Sequence, residues 1–287
     1  MTCQILTSLA EISSDYDAIF CDLWGCYHNG IDPYPAAIAA CQAFRSGGGK
    51  VILLTNAPRP AASVKAMLDR MRAPEDSYDA IVSSGAACQA ALISGRHGKR
   101  FHYVGPERDL HMLTDVGLSN TPLADADAIL LTGLRDDRTE TPDDYAADIA
   151  AWRAAGLVVL CANPDIIVDR GEMRLWCAGA IAQRYEDAGG EVLWFGKPHA
   201  PVYDRCHEVL AEIAGGEVQK ASILAIGDGI LTDVPGGIRA GLDTIFVTGG
   251  LSATDFGPDV ESPRQAPLEA FLVEQGLTPR YAIGRLR

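Results

Sequence analysis

Short apolar runs, each followed by a stretch of helical periodicity, recur through this chain, and that alternation leaves few ways to bury them. Residues 18–21, 51–54, 80–82, 101–104, 128–131, 157–161, 191–195, 223–226, 244–247 and 281–283 read as strands. Runs so uniformly apolar are strands covered on both faces, as in a parallel sheet with crossover helices above and below it. Helical patterns occupy 36–45, 60–71, 107–116, 142–155, 178–188, 203–213, 234–240 and 268–274, with an alanine-rich helix after Ser83-Ser84-Gly85. Residues 166–175 break the rhythm and alternate around Gly171-Glu172, as a hairpin does. The expected class is α/β, a doubly wound parallel sheet with a further α/β unit inserted in its middle.

At 287 residues the chain exceeds what one core usually serves, so two domains are expected. A net charge of −14 with no Lys/Arg cluster argues against nucleic acid as a partner. No basic segment followed by an apolar core opens the chain, and no apolar run approaches spanning length, so no membrane partner is expected. The eight cysteines form no Cys-x-x-Cys pair, and several lie in apolar segments, the pattern of a reducing, cytoplasmic compartment. The six histidines lack zinc-ligand spacing. Gly47-Gly48-Gly49-Lys50 resembles a phosphate-binding loop only superficially: Phe44 stands where the first glycine belongs and Val51 where Ser or Thr would ligate magnesium. It reads as a helix C-cap.

Four segments, each just past an expected strand, carry chemistry: Asp22-Leu23-Trp24-Gly25, Thr55-Asn56, Gly196-Lys197-Pro198 and Gly227-Asp228 through Asp233. Ligands of open α/β sheets bind beyond the carboxyl ends of the strands, so all four are expected at one edge. Asp22, Asp228 and Asp233 would repel one another there without a cation, and oxygen-only ligands favour a hard ion such as magnesium. Thr55 supplies a hydroxyl and Lys197 a point charge suited to phosphate. Together these groups suit phosphoryl transfer, which is mostly positioning and charge neutralisation. Singly, each has a plain reading as a turn, loop or helix cap.

These segments resemble the haloacid-dehalogenase superfamily of phosphohydrolases. Gly227-Asp228-x-x-x-Thr232-Asp233, Cys161-Ala162-Asn163-Pro164-Asp165 and the long insertion resemble its class IIA, NagD-type branch. The resemblance spans essentially the whole chain. It implies a discontinuous Rossmann-like catalytic core, 1–98 with 192–287, and an inserted α/β cap at 99–191. It implies Asp22 as the nucleophile that forms an aspartyl-phosphate. Thr55 with the backbone of Asn56 and Ala57 would hold the phosphoryl group, and Lys197 would bridge it to Asp22. Mg2+ would be held by Asp22, the Trp24 main-chain carbonyl and Asp228, with Asp233 orienting its water. The substrate implied is a small phosphorylated metabolite such as a sugar phosphate or nucleotide. Pairing into a homodimer through the caps, frequent among relatives, is left open.

One position departs from the pattern. The family carries a second aspartate two residues after the nucleophile as general acid and base, and here that residue is Trp24. An indole N–H is a donor only, so metal binding through the main chain survives the change and proton transfer does not. Such a loss costs about 10²–10⁴-fold, roughly 3–5 kcal/mol of barrier. His28, four residues on, is a candidate substitute, with a surface or hydrogen-bonding residue as the plainer reading. Two functions therefore stand side by side: a magnesium-dependent phosphatase slowed by Trp24, and a catalytically impaired phosphate-ligand-binding or regulatory protein. A phosphotransferase that parks the group on Asp22 is a third. Asn163 and Asp165 are candidates for reading the substrate, against an ordinary Asn-Pro-Asp turn.

Overall fold

Nearly every apolar run becomes a strand. A computed structural model describes residues 3–170, 173–250 and 255–287. In chain order the strands are β1 (Gln4–Leu6), β2 (Ala18–Asp22), β3 (Lys50–Thr55), β4 (Ala80–Ser83), β5 (Phe101–Val104), β6 (Ala128–Leu131), β7 (Val159–Cys161), β8 (Ile167–Arg170), β9 (Met173–Trp176), β10 (Val192–Trp194), β11 (Ile223–Gly227), β12 (Asp243–Val247) and β13 (Tyr281–Ile283). The chain divides into two units, one of Met1–Thr55, Lys65–Val82 and Tyr203–Arg287, the other of Asn56–Val64 and Ser83–Val202.

The first unit holds a seven-stranded sheet in the order β1-β13-β12-β11-β2-β3-β4. The pairs β1–β13, β13–β12, β12–β11, β11–β2 and β2–β3 are all parallel. Each parallel step needs a crossover, and helices such as Pro35–Ser46 and Asp233–Ala240 supply them. β2 lies centrally and every one of its residues is buried. On one side of this sheet Phe246, Leu268, Leu272, Val234 and Ala282 pack with Phe256. Gly47 caps the first helix, its N–H donating to Ala43 O at 3.1 Å, so the glycine run is a helix terminus.

The second unit holds a four-stranded parallel sheet, β10-β7-β6-β5, and the antiparallel hairpin β8–β9. The side-chain period of two splits β6 between two cores. Ile129 and Leu131 pack with Val104, Tyr145, Trp152, Ile181 and Tyr185, while Ala128 and Leu130 pack with Phe101, Cys88, Leu92 and Met112. The hairpin expected at 166–175 is present, although its Gly171-Glu172 turn lies outside the described residues. No helix among the described residues is long and apolar enough to cross a membrane.

Two expectations change, and one strand is added. The strand before Lys197 pairs with β7 in the four-stranded sheet, so the four chemical segments do not all follow strands of one sheet. Apolar periodicity reports burial and is silent about which sheet a strand joins. The helix expected at 107–116 is a 3-10 turn, Glu107–Asp109, then the single α-turn His111–Thr114, bounded by Pro106 and Gly117. The added strand is β1, whose three residues are too few to carry a periodicity and which is fixed by pairing with β13.

Ile19 on β2 sits level with Leu224 and Val51 of the flanking strands and is fully buried. Ile19→Ala should cost about 2–5 kcal/mol, read as a fall in the urea unfolding midpoint; a loss below about 0.5 kcal/mol would contradict the central placement of β2.

Candidate active site

Parallel register brings the first group of residues together. Asp22, the last residue of β2, is level with Leu54 of β3, and Cys21 is level with Ile226 of β11. Asp228, one residue past β11, therefore leaves the sheet at the same edge as Asp22, and Thr55 ends β3 there too. Asp22 and Asp228 are 5% and 4% exposed. One carboxylate oxygen of each and Cys26 Sγ lie within 4.8 Å of one another. Two buried carboxylates this close need a positive charge or a proton among them. The chain leaves room for the arrangement by omitting side chains around Asp228. A Cβ on Gly25, where φ is +83°, would stand 2.2 Å from Asp228 Oδ2, and one on Gly250 would stand 1.9 Å from it. Hard oxygen donors from Asp22 and Asp228 fit a magnesium ion; the sulfur of Cys26 is a soft donor that magnesium does not need.

Asp233 opens the helix Asp233–Ala240, where a carboxylate complements the helix N-terminus. Its Oδ2 accepts from the Gly229 N–H and the Thr232 hydroxyl, both at 3.2 Å. That ties the Asp228 loop to the helix behind it.

After Asp22 the chain folds tightly back. The N–H groups of Tyr27 and His28 both donate to Leu23 O at 2.9 Å, and the Gly25 N–H donates to His28 O at 2.9 Å. Trp24 is half-buried, its ring edge-on to His28 with centroids 5.3 Å apart. His28 is not placed to replace the missing acid. It is fully buried, and its Nδ1 accepts the Gly30 N–H at 2.9 Å, which leaves the proton of the neutral ring on Nε2. Burial pushes its pKa down to about 4, so the ring is neutral at physiological pH. The imidazole braces its own loop beneath Trp24, a placement that a lone His in a sequence does not reveal.

The second unit holds Asn56, Ala57 and Lys197. Asn56 Oδ1 accepts the Lys197 N–H at 2.7 Å, and its amide donates to Lys197 O at 3.2 Å and Asp165 Oδ1 at 2.8 Å. Asn56 and Lys197 are thus locked together, 6% and 3% exposed, although 141 residues separate them in sequence. Asn163 Oδ1 accepts the Asp165 N–H at 3.0 Å, the Asx turn that the plainer reading expects, and that turn presents Asp165 to Asn56. A cavity of about 120 Å³ in this unit is lined by Asn163 with Arg59, Arg108, Asp109, Asp137 and Trp176. Arg59 Nε donates to the buried Asp109 at 2.7 Å, which fixes the guanidinium at the cavity wall.

Residues 19–119 match the family of haloacid dehalogenase-like hydrolases, and residues 194–267 match a HAD-hydrolase-like family. A solved haloacid dehalogenase-like hydrolase from Brucella suis 1330 is 38% identical over 98% of this chain and 99% of its own, with a TM-score of 0.84. The chain belongs to the haloacid-dehalogenase superfamily. Ribonucleotide monophosphatase NagD of Escherichia coli (strain K12) is 24% identical across 85% of this chain and 91% of its own length. An acid sugar phosphatase of Staphylococcus epidermidis is 26% identical across 89% and 94%. The chain is a NagD-type, class IIA phosphohydrolase of that superfamily.

Within this family frame, sequence reasoning missed Cys26 and Arg59. Cys26 sits in an apolar stretch, where a thiol reads as a small hydrophobe, and its spacing from Asp22 matches no metal motif. Arg59 follows Thr55-Asn56 closely, and only that proximity could have marked it. The Gly25 contact yields a prediction. Gly25→Ala strains the backbone and displaces the Asp228 carboxylate, so kcat/KM toward p-nitrophenyl phosphate should fall about 10²-fold while the far-ultraviolet circular dichroism stays native. Unchanged turnover would contradict the placement of Asp228 in the working site.

Proposed function

We propose that this chain is a magnesium-dependent phosphatase of small phosphorylated metabolites, sugar phosphates or nucleotides, which works through an aspartyl-phosphate on Asp22 and lacks the usual proton donor. The observation that carries the reading is the buried Asp22–Asp228 pair at the carboxyl edge of a parallel sheet. In this reading Asp22 attacks phosphorus, a new O–P bond forms, and the ester oxygen leaves with its electron pair. The Thr55 hydroxyl, the backbone N–H groups of Asn56 and Ala57, and the Lys197 ammonium hold the phosphoryl oxygens. Asn56 grips Lys197 on both its N–H and its C=O, which fixes the backbone from which the ammonium reaches. Asp22, the Trp24 main-chain carbonyl and Asp228 would hold Mg2+, and Asp233 would orient its water. When bound, the ion neutralises phosphoryl charge and fixes its orientation. Water then releases phosphate and restores Asp22.

Substrate selection is assigned to the inserted residues, 99–191, in keeping with the nucleotide and sugar phosphatases among the relatives. The partner is a small phosphorylated metabolite, with a homodimer left open, and the eight buried cysteines suit a cytoplasmic setting. Trp24 and the neutral, enclosed His28 favour a second reading, a phosphate-ligand-binding or regulatory protein with little turnover.

A screen of phosphorylated metabolites with and without Mg2+ separates the two. Magnesium-dependent release of phosphate, lost in Asp22→Asn with phosphate binding retained, is the expected result. Full activity in EDTA or in Asp22→Asn would end the phosphatase mechanism, and binding without turnover would favour the second reading.

Trp24 gives a sharper expectation. With no acid to protonate the leaving oxygen, aryl and acyl phosphates should turn over far faster than alkyl phosphates, with a steep dependence on leaving-group pKa. Trp24→Asp should flatten that dependence and raise alkyl-phosphate turnover by about 10²-fold or more. Similar chemical-step rates for aryl and alkyl phosphates in the wild type would show that another group donates the proton.

A further inference from the structure

Beside the two oxygen donors that fit magnesium, the cluster at the sheet edge holds a sulfur donor. Its third member is Cys26, 1% exposed, whose Sγ lies within 4.8 Å of one carboxylate oxygen of Asp22 and one of Asp228. Cys26 carries no disulfide. Its place is fixed from both sides in sequence, because the Gly25 N–H donates to His28 O and the Tyr27 N–H to Leu23 O. The bare Cα atoms of Gly25 and Gly250 keep Asp228 seated beside it.

Donor chemistry then separates cations. Magnesium takes hard oxygen ligands and gains little from sulfur, whereas zinc and cadmium gain much from a thiolate. Two carboxylates and one thiolate also make three protein ligands, the number found in zinc sites that keep a position open. We propose that Cys26 turns the Asp22–Asp228 site into a mixed oxygen–sulfur centre that binds thiophilic divalent cations, zinc-class ions, in preference to magnesium. The Cys26 S–H bond breaks on binding, its proton goes to solvent, and a sulfur–metal bond replaces it. A thiophilic ion held in this way occupies the position that the phosphatase reading gives to Mg2+, so the inference rests on that metal assignment and adds a selectivity that oxygen ligands alone do not supply.

Titration of the intact, metal-free protein with Cd2+ tests this, read by ultraviolet difference absorbance and isothermal calorimetry. The expected result is one Cd2+ per chain with a sulfur-to-cadmium charge-transfer band. That band should vanish in Cys26→Ser and Cys26→Ala, and both band and binding should be lost in Asp228→Asn. The preference for Zn2+ over Mg2+ should fall about tenfold or more in Cys26→Ser. Cadmium NMR of the wild type reads the sulfur donor without any substitution, so unfolding of a variant leaves the test intact. Cd2+ binding that depends on Asp22 and Asp228 without a sulfur signal would overturn the proposal and leave the carboxylate metal site standing. A band that persists in Cys26→Ser and Cys26→Ala comes from other cysteines and also overturns it. If neither Mg2+ nor Cd2+ binding depends on Asp22 or Asp228, the metal assignment itself falls.

Discussion

Two carboxylates, each at least 95% buried, stand within 4.8 Å of each other at the ends of neighbouring parallel strands. Left to themselves, Asp22 and Asp228 repel, and in a low-dielectric setting that repulsion is large against the few kcal/mol by which a domain is stable. The first unit is arranged so that the pair can exist. β2 and β11 are central and buried, which fixes the backbone at the strand ends from which the two carboxylates project. Gly25 and Gly250 leave the space that Asp228 fills, and Asp233 anchors its loop through Gly229. Such electrostatic strain is tolerated where a site needs a cation, and the sheet supplies the stability that holds it.

The residues between Asp22 and Gly30 combine structural economy with a chemical gap. A single carbonyl, Leu23 O, accepts from both Tyr27 and His28, and the imidazole of His28 accepts the Gly30 N–H. The result is a tight, self-bonded loop whose members serve one another. Trp24 stands where the superfamily pattern has an acid, and His28, its edge-on neighbour, is neutral and enclosed. In the proposed mechanism, a loop with no proton donor at that position would suit substrates whose leaving group departs without help.

Much of this architecture is legible in the sequence because it rests on burial. The strands at 101–104, 128–131 and 281–283 match their apolar runs residue for residue, and each begins and ends on a buried residue. The hairpin is legible from its alternation. The sheet that Val192–Trp194 joins is not, because pairing partners depend on the path of the whole chain. In the site, Asp22 and Asp228 are legible as strand-end carboxylates, and their proximity follows from parallel register. Cys26 and the bracing role of His28 are invisible in one dimension: a thiol reads as a hydrophobe, and a histidine bonded to the backbone two residues away looks like any loop histidine. The mutual grip of Asn56 and Lys197 spans the entire insertion, and no local pattern announces it.

The central claim is that Asp22 is the atom donor to phosphorus. Rapid mixing of the protein with Mg2+ and p-nitrophenyl phosphate, acid quench, and mass spectrometry of the peptide carrying Asp22 tests it most directly. The account predicts a phosphoryl group on Asp22 that forms within the first turnover, decays as phosphate is released, and is absent in Asp22→Asn. Steady turnover with no phosphoryl adduct on that peptide, or with the adduct on another residue, would contradict it.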